Sequence, residues 1–353
     1  MMINEITESM HLALSDPSQL SRIASLSQGI PGLSSEDVDL LLERLLEFGD
    51  DLQAAPEVPS EGALKVDQLI QPVIHQLIQR ETKLNAESDS DESWTPSRFQ
   101  SVQSLYRLAP NESDLRNHLL RWMAVEGSEE ALQIWTDLIC DDPPEHRVGI
   151  VLAFAPLMQT DFEPSPWMLS QLLNHGTSHS QIAPAIFDLF NYYYRHQKVE
   201  DHPAIERINE LTDLLGLLAG QLGKIEDGKF PEGLGVSEIN QLVSDSVALI
   251  VALCDTFAQL EHEPAIGKLN QTLELRHRRV QTEAAAALAR LNDESGKKVL
   301  IQLAEQPVAR LRVLAYAEEL GIKDEISLEF QGEIAMAESH LAIWLAEPAQ
   351  MGL

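Results

Sequence analysis

The sequence predicts an all-α protein, an α-solenoid in which antiparallel helix pairs stack into a superhelix. Three observations point there. Laid over Ala309–Gly321, the stretch Val280–Asn292 matches Ala284 with Val313, Ala285 with Leu314, Leu288 with Ala317 and Leu291 with Leu320. One helix is thus written twice at a period of about 29 residues, inside the range that marks arrays of helical units. A polar residue followed by proline also recurs at the head of apolar-periodic runs: Thr95-Pro96, Asp142-Pro143, Ser165-Pro166, His202-Pro203, Glu263-Pro264 and Gln306-Pro307. Proline is pre-set for a first helical turn, where its missing N–H is not needed, so these sites separate one helix from the next. Finally, no stretch alternates β-branched and polar residues, and no Asn-Gly hairpin signal occurs.

The elements follow in order. Residues 1–93 read as a helical N-terminal segment with acidic linkers. Asp16 precedes helical potential over Pro17–Leu26, and Ser34 or Ser35 caps a helix with Val38, Leu41, Leu42 and Leu45 at helical spacing, with Glu36 and Asp37 at its positive end. Gly49–Gly62 reads as a linker by its prolines and acids. Leu64–Leu84 is a helix with Leu69, Val73, Leu77 and Leu84 inward, bent or restarted at Pro72, and Ala86–Ser93 is a solvated acidic tract. Residues 94–223 read as irregular helical hairpins: Leu115–Val125 and Glu129–Ile139 around Gly127-Ser128, then His146–Met158, Trp167–Leu173, Gln181–His196 and Ala204–Leu222. Lys224–Val236 is an insertion or a domain boundary. Residues 236–353 form the repeat region, from Ser237–Leu260 through Lys297–Ala304 to a last helix, Glu333–Leu345, with Ile334, Leu341 and Trp344 on its apolar face. The closing EPAQMGL carries no polar cap, which fits a longer array.

Arg279, Ala284, Ala285, Leu288, Leu291, Asn292-Asp293, Val299 and Leu303 together resemble the HEAT-like repeat, in particular the short variety also found in bilin lyases. The resemblance spans roughly the last fifth of the chain and extends more loosely from Ser237 to Lys323. It implies an ARM-like fold of stacked hairpins. Ala131, Leu132 and Trp135 are similar to a tetratricopeptide unit, a likeness any helical hairpin shares. Both are packing patterns, informative about fold and not about function.

Composition narrows the function classes. The chain has 353 residues and a formal net charge of −31, which repels phosphate backbones and anionic membranes, so no nucleic-acid and no membrane partner is expected. Cys140 and Cys254 lie in apolar stretches and read as free buried thiols of a reducing compartment. The N-terminus lacks a basic and an apolar signal region, and the apolar runs Val148–Met158 and Val247–Cys254 are too short to span a bilayer. A cytoplasmic location follows as the expectation.

Candidate chemistry is sparse. The di-iron hydroxylases built on such repeats imply paired His-Glu dipeptides, and only His262-Glu263 occurs. His175 and His179 have metal-ligand spacing, but the Gly-Thr-Ser between them favours a turn, and His196 and His202 flank a similar one. No catalytic, cofactor or metal residue is assigned. Tyr192, Tyr193, Tyr194 and Arg195 spread around a helix, so at least one aromatic should face outward and suit a protein contact. The cations Arg276, His277, Arg278, Arg279, Arg310 and Arg312 are set among acids such as Glu274 and Glu283. HEAT-like DNA glycosylases line a groove with such cations. The interleaved acids favour a ladder of ion pairs between repeats instead, involving Arg278, Arg279, Arg310 and Arg312. The expected function is therefore a non-catalytic scaffold or adaptor for a basic or amphipathic protein. A bilin-lyase-like transferase, which the resemblance implies, and a structural subunit of an assembly are the alternatives.

Overall fold

A computed structural model describes residues 2–54, 66–86, 94–145 and 149–346. All regular structure among them is helical, with no strand. The helices are α1 Met2–Ala13, α2 Leu20–Ser27, α3 Ser35–Ala54, α4 Val66–Ala86, α5 Pro96–Leu108, α6 Asp114–Glu126, α7 Glu129–Asp141, α8 Ile150–Phe154, α9 Pro166–Asn174, α10 Ala183–Arg195, α11 Ile208–Glu226, α12 Val236–Gln259, α13 Ile266–Leu273, α14 Arg278–Arg290, α15 Glu294–Leu303, α16 Pro307–Glu319 and α17 Glu333–Ala346. They fall into two compact units, one up to Ala185 and one from Ile186, so the hairpins of 94–223 are divided between them.

Helix starts follow the capping logic. Thr95 accepts from the backbone N–H of Arg98, Ser113 from Leu115, Ser128 from Ala131 and Asp293 from Ser295, each satisfying a donor that the first turn leaves open. Asn292 at φ 59° and Gly321 at φ 68°, one period apart, turn the chain left-handed after α14 and α16. Elsewhere the signals mislead. Asp142-Pro143 opens no helix, because α8 begins only at Ile150; the start of the expected His146–Met158 helix lies outside the described residues. Lys224–Glu226 complete α11 and Val236 opens α12, which shortens the insertion between them.

In the first unit α4 packs on α6 and α2, and α3 on α5 and α1. The expected linker at Gly49 is helix instead: Gly49–Ala54 continue α3, and a Cβ on Gly49 would sit 2.6 Å from a Leu108 methyl, so the glycine marks a close helix crossing. The rest of that linker, and the acidic tract beyond Ala86, lie outside the described residues. α4 runs unbroken through Pro72, its face of Leu69, Val73, Ile74 and Leu77 fully buried, so packing overrides the missing N–H. Glu81, also buried, accepts from the indoles of Trp94 and Trp122 at 3.1 and 3.3 Å.

In the second unit α12 packs on α11 and α14, and α14 also touches α13, α15 and α16. α12, at 24 residues, is by length and composition alone long and apolar enough to cross a membrane; Leu249, Ile250, Leu253 and Phe257 bury its apolar face within the protein. Cys140 and Cys254 are both free, the first half-buried and the second buried. α10 is tied to α12 by a buried polar cluster. Asn191 donates to the Ala252 carbonyl and accepts from the Thr256 hydroxyl and from Nε2 of His202, whose Nδ1 accepts from the Ala204 N–H. That pattern requires neutral His202 with its proton on Nε2.

Two predictions follow from this packing. A Cβ on Gly296 would lie 2.4 Å from Leu288 Cβ and 2.6 Å from the Ala285 carbonyl oxygen, where α14 and α15 cross. Gly296→Ala is therefore expected to destabilise by about 1–3 kcal/mol in urea unfolding, outweighing alanine's better helix propensity of about 1 kcal/mol. An unchanged midpoint would mean that the crossing yields freely. Burial lowers the His202 imidazole to about 4, from about 6.5 in an unfolded chain. The unfolded state then binds the extra proton between those values, so stability from this site is full above about pH 6.5 and is lost as pH falls to 4. The stability gap between wild type and His202→Gln should narrow over that window; a constant gap would show that His202 does not titrate on unfolding.

Candidate functional site

Helical spacing brings a row of charged and polar side chains from each of three helices to one place. Asp188 and Arg195 are seven apart on α10; Arg279, Glu283 and Arg290 are four and seven apart on α14; Arg312, Tyr316 and Glu319 are four and three apart on α16. Each set therefore shares a helix face. With Val251 and Asp255 of α12, they line a cleft of about 1110 Å³ in the second unit, whose apolar wall includes Val308, Leu311, Ala315 and Ile343.

Most of these charges satisfy one another. Arg195 donates to Asp255 at 2.6 Å, and the other Asp255 oxygen lies 3.6 Å from Arg290. Arg290 grips Glu319 with Nε and Nη2, both at 2.8 Å, and its guanidinium lies 5.0 Å from the centre of the Tyr316 ring. The Tyr316 hydroxyl and Arg312 both donate to Glu283, whose carboxylate is nearly buried. The bonds from Arg290 hold the Glu319 carboxyl below its ordinary range. Burial, and then the Glu283 charge, push the Tyr316 hydroxyl well up, so it stays a donor. A continuous chain of contacts thus runs from α10 through α12 and α14 to α16. The exposed pairs in it are each worth at most about 1 kcal/mol, whereas Glu283, shielded from water, depends on both its donors.

Two groups are left over. Among the described residues, Asp188 and Arg279 make no hydrogen bond and no ion pair, though both line the cleft. Asp188 reaches the cleft's water but is crowded by protein on its other sides. That desolvation, with the Asp255 charge beside it, raises its carboxyl to about 6 against the pull of Arg279 and Arg195. The arrangement has no group of three or more His, Cys, Asp or Glu side chains that could hold a metal ion among the described residues. It can recognise: one carboxylate and one guanidinium, attracted to each other but not hydrogen-bonded, line the cleft.

The residues singled out in the sequence are distributed unevenly over this site. Arg195, Arg279 and Arg312 line the cleft. Arg278 donates to Gln281 within its own helix, and Arg276 pairs with Asp227 on the turn after α11. Arg310 is buried, donating to the carbonyls of Ala304 and Ala335 and to Glu338. Tyr193 is fully buried, while Tyr192 and Tyr194 are half-buried against His196 and His202, at 4.2 and 5.5 Å between ring centres. None of the three tyrosines is exposed. His179 bonds the Cys140 carbonyl at 2.8 Å, across a short turn from exposed His175. Asp188, Asp255, Arg290 and Glu319 were marked by no motif. A signal existed for two contacts: Arg290 and Glu319, like Glu283 and Arg312, stand 29 residues apart, at the period of the apolar duplication.

Because the folded chain disfavours ionised Asp188, the unfolded state gives up its proton more readily between about pH 4 and 6. Above pH 6 the full cost is present, and it fades as pH falls through that window. Asp188→Asn should therefore raise stability at pH 7 to 8, with the gain disappearing near pH 4. A gain independent of pH in thermal melts would show that the carboxyl is freely solvated.

Comparison with known protein families, with curated proteins and with solved structures finds no match to this chain.

Proposed function

We propose that this chain is a non-catalytic helical-repeat scaffold, HEAT-like in the unit from Ile186, that holds an extended segment of a partner protein in the charged cleft. In this reading α10, α12, α14 and α16 form the inner row of a solenoid, and α11, α13, α15 and α17 the outer row. The 29-residue recurrence of apolar positions supports it, as do the contacts of α12 with α14 and of α14 with α16. The observation that carries the binding role is the pair Asp188 and Arg279, left without a bond in a cleft whose other charges are matched. A side-chain cation of the partner would meet Asp188, and an acid or terminal carboxylate would meet Arg279. The net charge of −31 favours a basic partner by raising its rate of encounter.

The test exploits the lack of any hydrogen bond or ion pair from those two residues to the other described residues. Proteins captured by the wild-type chain are compared, by quantitative mass spectrometry, with those captured by an Asp188→Lys/Arg279→Glu double variant of unchanged helicity. Recovery of the main partner should fall at least ~10-fold, the equivalent of losing about 1.4 kcal/mol. Equal recovery by both chains, or no partner with either, would overturn the proposal.

A further inference from the structure

Beyond the cleft, the last helix carries a surface that the fold does not use. α17 turns Ile334, Leu341, Trp344 and Leu345 to solvent, at 88%, 55%, 41% and 63% exposed. Spaced seven, three and one residues apart, they form one stripe along more than two helical turns. The apolar face read in the sequence thus points outward, and Ala335 and Ser339 are buried against α16 instead. Arg310 is the physical reason. Its guanidinium, 3% exposed, reaches from α16 to the Ala335 carbonyl at 2.8 Å, the Ser339 hydroxyl at 3.3 Å and Glu338 at 2.8 Å. Rolling the apolar stripe inward would strip a buried cation of three acceptors, so α17 is pinned with its stripe outward.

Single exposed apolar residues need no explanation; a contiguous stripe on a pinned helix does. The charge around it selects what covers it. From Asp324 to Ala346 the chain has five carboxylates and no lysine or arginine. Glu325 is paired with Lys297 and Glu338 with Arg310, but Asp324, Glu329 and Glu333 make no ion pair among the described residues. Leu328, 82% exposed, lies beside Glu329 in the approach to the helix. A second copy of this chain would set like charges against each other, with −31 on each molecule. We propose that this face of α17 docks an amphipathic helix of a basic partner protein, its apolar side on Ile334, Leu341, Trp344 and Leu345 and its lysines or arginines over Glu329 and Glu333.

The test uses the full chain and two synthetic amphipathic helices, one of leucine and lysine, the other of leucine and glutamate, titrated calorimetrically. The leucine–lysine helix is expected to bind and the leucine–glutamate helix not to. Ile334→Gln/Leu341→Gln should weaken that binding at least ~10-fold, and Glu329→Lys/Glu333→Lys likewise, while Asp188→Asn leaves it unchanged. All four substituted α17-region side chains are exposed, so helicity should survive, which circular dichroism checks. In a Trp167→Phe background, iodide should quench Trp344 in the free chain and less so in the complex. Failure of the basic helix to bind, equal binding by the glutamine variant or by the acidic helix, or a wild-type dimer in sedimentation that Leu341→Gln dissolves, would overturn the proposal.

Discussion

The second unit depends on the absence of bulk in α14. Ala284, Ala285, Ala286 and Ala287 are all buried at 0–1% exposure, and this one helix is in contact with α12, α13, α15 and α16. Alanine costs nothing in helix propensity and lets neighbouring axes approach closely. Gly296 completes the arrangement by removing even a methyl where α15 crosses. Long arginine and glutamate side chains at the edges of the same helices then reach one another. Glu283 meets Arg312, and Arg290 meets both Asp255 and Glu319. The cleft is therefore a product of the packing: small residues at the centre set the spacing that the charges at the rim require.

A second device recurs in both units. Arg116, in the first turn of α6, donates to the Ala109 carbonyl at the end of α5, and Arg310, in the first turn of α16, donates to the Ala304 carbonyl at the end of α15. Each arginine is almost fully buried. Helix ends leave carbonyls without intrahelical partners, and a guanidinium offers several donors in a fixed fork. One residue thus closes the preceding helix while anchoring the next. Arg116 adds Asp142 beyond α7, and Arg310 adds the backbone and side chains of α17.

How much of this could be read from the sequence depended on whether the signal was local. Caps and stops are local chemistry, so Thr95-Pro96, Ser128, Asp293 and Asn292 marked their helix ends correctly. The all-helical class followed from periodicity. Which face of a helix turns inward is not local, and α17 shows why: its apolar residues lie all round, and a single arginine on another helix decides its orientation. Gly49 resembled a linker because its function, letting Leu108 approach, is visible only in space. The cleft was half legible. Arg290–Glu319 and Glu283–Arg312 stand at the repeat period, whereas Arg195–Asp255 joins residues 60 apart that no pattern relates.

The left-handed stops at Asn292 and Gly321 separate turn length from helix phase. An inserted or deleted residue in a connecting turn leaves the side chains of each flanking helix in phase with one another. The same event within α14 or α16 would rotate every later side chain by about 100° and scatter the rim charges to different faces. Helix length is thus a tighter constraint on the rim charges than turn length is.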